Sequence, residues 1–143
     1  MKQLTIYLDF DGTVVEHMFP NIGKPVPMAL EVIRKLCSKN CLIILNTYRI
    51  DLLTKYALPE NDKSAEKEFE DCLQYFVDNG IKIDSIQKPF KLHPLNWDVN
   101  FSGTDIFIDD IAGGIPLIPG TQSIRPMVNW IELDRQFIEK GIY

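Results

Sequence analysis

Long apolar stretches are missing from this 143-residue sequence. No run approaches the roughly 20 apolar residues a membrane helix needs, and the N-terminus carries Lys2 without the apolar segment or cleavage pattern of a leader. Basic residues are also scarce: 15 Lys and Arg stand against 20 Asp and Glu, giving a net charge of -5 and a pI near 5.0. That balance argues against a general nucleic-acid binder or a membrane-surface protein, which would carry a basic face, and leaves only local basic patches. Cysteine is sparse and odd in number. Cys37, Cys41 and Cys72 lie within or beside apolar runs, at spacings that match no metal motif, so buried free thiols in a reducing, cytoplasmic setting are expected rather than disulfides or zinc. Repeats and low-complexity tracts are lacking, and the length leaves no place for a second domain. Residues 1–143 therefore read as one domain, whose 45% hydrophobic content is that of an ordinary globular core.

What is present is concentrated at the start. Leu4-Thr5-Ile6-Tyr7-Leu8 is a short apolar run that ends in Asp9-Phe10-Asp11-Gly12-Thr13. Such a run reads as a buried strand, and in open α/β sheets ligands bind just beyond the carboxyl ends of strands. Asp9 and Asp11, two residues apart in extended chain, leave on one side and can share a cation or a substrate. Gly12 lets the backbone turn. Alone, the stretch would equally suit a strand followed by an Asp-Gly turn.

The rest of the chain repeats the pattern. Val14 to Val26 has little periodicity and reads as a loop leaving the Asp9 strand, with His17 expected to be a solvated loop histidine. Pro27 opens a helix with Ala29, Val32, Ile33 and Leu36 on its apolar face, ending near Asn40. Cys41 to Thr47 is a continuous apolar run, as in a parallel strand covered on both faces, and Thr47 ends it. A hydroxyl there, with the free N–H groups of Tyr48 and Arg49 where a helix begins, would suit a phosphate oxygen. A helix from Ile50 is interrupted at Leu58 to Lys63 and resumes with Ala65, Phe69, Cys72, Leu73, Phe76 and Val77 on one stripe, until Gly80 stops it. Ile81 to Ile86 alternates as a third strand, with Lys88 at its carboxyl end held extended by Pro89. Phe90 to Gly103 packs by its aromatics, and His93 is given no role. Asp105 to Asp110 is a fourth apolar strand ending in paired carboxylates, whose repulsion a cation shared with Asp9 and Asp11 would offset; hard oxygen ligands suit Mg²⁺. A Gly- and Pro-punctuated loop follows, then a terminal helix lined by Val128, Ile131 and Ile138, with Trp130, Leu133 and Phe137 nearby.

The strands thus end in Asp9/Asp11, Thr47, Lys88 and Asp109/Asp110, in that order. In this the chain resembles the haloacid dehalogenase-like superfamily of phosphohydrolases. Asp9-Phe10-Asp11-Gly12-Thr13 matches the first motif of that family, Thr47 the second, Lys88 before Pro89 the third, and Asp109-Asp110 the fourth. The resemblance implies a doubly wound, mostly parallel Rossmann-like sheet with helices on both faces, and Mg²⁺-dependent phosphoryl transfer.

The roles implied are specific. Asp9 is the nucleophile that forms an aspartyl-phosphate. Mg²⁺ is held by Asp9, the backbone carbonyl of Asp11 and the Asp109/Asp110 pair. Lys88 neutralises phosphoryl oxygens and the Asp9 carboxylate, Thr47 donates a hydrogen bond, and Asp11 serves as general acid and base. Neither gap where the family inserts a cap is long enough for a large cap domain. An open site of this kind suits a phosphorylated small-molecule or macromolecular substrate, closed by the Val14 to Val26 flap or by a partner chain, which leaves a homo-oligomer open. Arg49 is similar in position to an arginine of polynucleotide-end phosphatases, a narrower substrate reading that the acidic balance opposes, and a solvated or helix-capping Arg49 is the alternative. A receiver-like signalling domain, also built on acidic, threonine and lysine strand ends, is the second class of function.

Overall fold

The computed structural model describes residues 3–49, 64–87 and 96–143. Lys88, His93 and the Leu58 to Lys63 interruption lie outside the described residues. Four parallel strands form the main sheet: β1 (Thr5–Leu8), β2 (Leu42–Asn46), β3 (Ser85–Gln87) and β4 (Asp105–Ile108), in the order β3-β2-β1-β4. The winding runs from β1 outward through β2 to β3, then returns to the other side of β1. That reversal between β1 and β4 is the switch point at which α/β sheets open a crevice for ligands.

The register explains the apolar runs. Ile6 lies level with Ile43 and Ile106, and Leu8 with Leu45 and Ile108, so two rows of branched side chains share one face and are buried. Along each strand the intervening residues point to the opposite face. There Tyr7 stacks on Phe107 with ring centroids 4.8 Å apart, and both stay half-buried.

Helices flank this sheet: α1 (Ala29–Ser38), α2 (Ser64–Asp78) and α3 (Trp130–Glu139). Each adds to the same core, α1 through Ala29, Val32, Ile33 and Leu36, α2 through Cys72 and Phe76, α3 through Trp130, Leu133 and Phe137. Polar clasps join them. Lys35 of α1 pairs with Asp134 of α3 at 2.9 Å, and Arg34 donates to the Asn79 carbonyl just past α2. The architecture is the Rossmann-like α/β fold expected, with no cap domain among the described residues. Among these residues no helix is long and apolar enough to cross a membrane. Cys41 and Cys72 are buried free thiols and Cys37 is half-buried.

Several boundaries differ from the sequence pattern, each for a local reason. The first helix begins at Ala29 because Met28, at φ 68°, lies in the left-handed region after Pro27. The third strand starts only at Ser85. Ile81 turns back to donate to the Phe76 carbonyl and is buried, and the Asp84 carboxylate takes the Ile43 N–H at 2.8 Å, so pairing begins later than the alternation suggests. In α3 the buried stripe is Trp130, Leu133 and Phe137, while Ile131 and Ile138 are exposed and Val128 belongs to a preceding hairpin. Val77 of α2 is likewise exposed. The loop after β4 contains that hairpin, the antiparallel pair β5 (Leu117–Ile118) and β6 (Met127–Val128), and the Val128 N–H donates to the Gly12 carbonyl. Trp97 and Phe101 pack on Phe137, as their aromatic character suggests.

Candidate active site

Asp9 continues β1 by one residue, its N–H donating to the Ile108 carbonyl at 3.0 Å. This places it beside the end of β4, where Asp109 and Asp110 follow. Carboxylate oxygens of Asp9, Asp109 and Asp110 all lie within 4.8 Å of one another. Asp9 and Asp109 are buried, and Asp110 is nearly so. Three acids this close repel. Burial first, then the Asp109 and Asp110 charges, push the Asp9 carboxyl well above the usual carboxylate range. Burial, with Asp110 beside it, raises Asp109 to about 7. The donor set fits a hard cation, because three clustered carboxylate oxygens supply the negative field that Mg²⁺ takes, and a cation there would remove the cost of ionising them.

Fixed hydrogen bonds aim the acids. The buried Thr13 hydroxyl donates to Asp9 Oδ2 at 2.9 Å and accepts the Asp110 N–H at 3.1 Å, so one side chain ties both strand ends together. Asp109 Oδ1 accepts the Ile111 N–H. Trp130 Nε1 holds the Thr13 carbonyl at 2.6 Å. Gly12, at φ 83°, cannot be replaced without collision: a Cβ there would lie 1.9 Å from His17 Nε2.

His17 is not the solvated histidine expected. Its ring folds back over Gly12, is 11% exposed, and Nε2 lies 2.7 Å from Asp110 Oδ2. Arg49 is corrected further. Neither solvated nor a helix cap, it is 1% exposed and inserts between the Phe10 and Phe19 rings, its guanidinium carbon 5.1 Å from each ring centre. Nε and Nη2 grip both oxygens of Asp11 at 2.8 Å, and the remaining donors reach the Pro20, Asn21 and Glu68 carbonyls. The Asp11 carboxylate is therefore turned to Arg49 and is not part of the three-acid cluster, so any contribution of Asp11 to a metal falls to its backbone carbonyl. Thr47 is buried at the end of β2, and its Oγ1 accepts the Arg49 N–H at 3.2 Å.

These groups line a cavity of about 290 Å³ that holds Asp9, Asp11, Thr47, Asp109 and Asp110 together with His17, Phe19, Tyr48, Arg49, Ile111 and Arg125. Of the residues singled out in the sequence, the structure brings five to this one place; Lys88 lies outside the described residues. His17 and Arg49, weighed in the sequence but not placed in the site, line it too, and Arg125 is the residue that sequence reasoning passed over. Arg125 arrives on the loop between β5 and β6, which the buried Glu16 carboxylate clasps through the Thr121 N–H and hydroxyl and the Gln122 N–H. Those hydrogen bonds hold the Glu16 carboxyl below its ordinary range despite burial. No local sequence pattern signals so distant a contact.

No family model and no curated protein matches the chain. A solved structure, that of a conserved protein coded by a locus from Bacteroides thetaiotaomicron, is similar over 97% of this chain and 92% of that chain, with a TM-score of 0.54 and 20% identity. At that identity the likeness is one of fold.

Proposed function

We propose that this protein is a Mg²⁺-dependent phosphomonoester hydrolase of the haloacid dehalogenase-like type, with Asp9 as the nucleophile. The observation that carries the reading is the convergence of Asp9, Asp109 and Asp110 at the switch point between β1 and β4. The order of strand-end residues in the sequence supports it. In this reading Asp9 and the Asp109/Asp110 pair hold the cation, with the Asp11 carbonyl. Mg²⁺, when bound, offsets the charge shared by the carboxylates and the phosphoryl oxygens.

The chain's own groups then divide the work. An Asp9 oxygen attacks phosphorus as the ester P–O bond breaks, and Thr13 holds the other Asp9 oxygen still. Thr47 donates to a phosphoryl oxygen, and Lys88 supplies positive charge. Asp11 protonates the leaving oxygen, then accepts a proton from the water that attacks the aspartyl-phosphate, which returns Asp9 and releases phosphate. For this, one Asp11 oxygen must leave Arg49. The receiver-like alternative loses ground on strand order, since such domains pair strand 1 with strands 2 and 3, whereas β1 here pairs with β2 and β4. The polynucleotide-end reading loses its residue, because Arg49 is committed to Asp11.

Hydrolysis of an aryl phosphate with and without Mg²⁺ tests the proposal. Turnover that requires the cation and disappears in Asp9→Asn is expected. Turnover indifferent to both would refute it.

A further inference from the structure

The mouth of the active-site cavity is apolar in a way the phosphoryl chemistry does not require. Phe19 is 47% exposed, Tyr48 59% and Ile111 54%, and all three line the cavity that contains Asp9. They come from three separate segments: the flap after β1, the end of β2 and the turn after β4. Large apolar side chains scattered singly on a surface need no explanation, but three converging on one cavity that holds four carboxylates do. Phe19 packs on the buried Arg49 guanidinium, so one face of its ring is covered and the other forms a wall of the mouth. Arg125, 61% exposed, stands on the same rim, 4.0 Å from Asp110.

We propose that this rim is the leaving-group subsite, and that the substrates are small phosphomonoesters whose alcohol carries a flat apolar ring. The assignment rests on the phosphatase reading and deepens it. With the phosphoryl group over Asp9, the alcohol must leave through the mouth, where Tyr48 and Ile111 meet it. A ring recovers the exposed apolar area of those side chains, while a short aliphatic chain covers little of it. The cavity is at the small end of ligand sites, which run to about 300–1,000 Å³, and this favours a single ring over a long chain. Contacts to the ring are the same before and during phosphoryl transfer, so they lower KM and leave kcat nearly unchanged.

The test compares phenethyl phosphate with n-butyl phosphate, esters of primary alcohols of similar acidity, in the whole chain with Mg²⁺. The expected kcat/KM is about tenfold higher for the phenethyl ester, the difference lying in KM, as one well-filled apolar pocket discriminates by about 10–200-fold. Tyr48→Ala/Ile111→Ala brings the ratio close to one. Both side chains are exposed, so the variant is expected to fold, and circular dichroism verifies it. Turnover with equal kcat/KM for the two esters overturns the subsite and leaves the phosphatase reading intact. If neither ester is turned over, calorimetry with benzylphosphonate and butylphosphonate decides separately: tighter binding of the benzyl compound, lost in the double variant, supports the subsite alone, and equal or absent binding overturns it. A third arm sets p-cresyl phosphate against a phosphotyrosine peptide. Equal rates support recognition of the ring alone, and a strong preference for the peptide overturns the small-molecule assignment.

Discussion

Arg49 shows how one side chain can organise a site without facing the chemistry. Its buried guanidinium closes on both Asp11 oxygens, on three backbone carbonyls and on two aromatic rings. Removing one member of such a buried pair leaves the other charge uncompensated, which costs about 3–5 kcal/mol. Arg49→Met is expected to lose that much stability in urea unfolding, and Arg49→Met/Asp11→Leu to recover part of it. A loss below about 1 kcal/mol in the single variant would show that the pair is structurally idle. The same pairing shapes the role of Asp11. Because general acid–base help is worth about 10²–10⁴-fold, Asp11→Asn should lose more rate with alkyl phosphates than with aryl phosphates, whose leaving groups need no proton. Equal losses on both would assign the proton to another residue.

Two elements carry the site walls, the flap after β1 and the hairpin β5–β6, and Glu16 joins them. Its buried carboxylate accepts the Thr121 and Gln122 N–H groups, and the Lys24 N–H in turn donates to Gln122 at 2.7 Å. Glu16→Gln keeps an oxygen for the Thr121 and Gln122 N–H groups but removes the charge that strengthens those bonds, and puts an NH2 group where the Thr121 hydroxyl now donates. The expected result is faster amide hydrogen exchange at Thr121 and Gln122, with exchange in β1 and β4 little changed. Unchanged exchange at those two amides would mean the loop is held by the rest of the hairpin. This is also where the sequence stops being informative. Apolar runs and the acids that end them could be read directly, because a buried parallel strand leaves few options for composition, and Asp9, Asp109 and Asp110 do converge. His17 could not, since its burial depends on Gly12 leaving space for the ring. Arg125 could not either, because a contact between residue 16 and residue 121 leaves no local periodicity. The terminal helix misled for a different reason: it offers apolar residues on two faces, and only docking on the common core, with Trp97 and Phe101 against Phe137, selects the Trp130, Leu133 and Phe137 stripe.

For the molecule as a whole, the acidic cluster links stability to pH and to metal. Asp9 and Asp109 have folded-state values raised above those of the unfolded chain, Asp109 from 3.8 to about 7. The metal-free folded state therefore binds more protons than the unfolded state across that interval, and its stability falls as pH rises from about 4 to about 7. Glu16 and Asp134 are shifted downward, so their contribution has the opposite sign and is lost on acidification below about 4. Melting temperatures of the metal-free protein should fall between pH 4 and pH 7, with Asp109→Asn flattening that fall. Added Mg²⁺ should restore stability most at the upper end, where the carboxylates are ionised. A melting temperature that rises steadily over the same interval would contradict the clustering.

In the proposed reaction Asp9 takes the phosphoryl group. Mass spectrometry of the peptide carrying Asp9, after acid quench of the protein turning over an aryl phosphate with Mg²⁺, tests that step. The expected result is a fraction of that peptide heavier by one phosphoryl group, absent without Mg²⁺ and absent in Asp9→Asn. Turnover with no phosphoryl group on the peptide, together with full activity in Asp9→Asn, would contradict it.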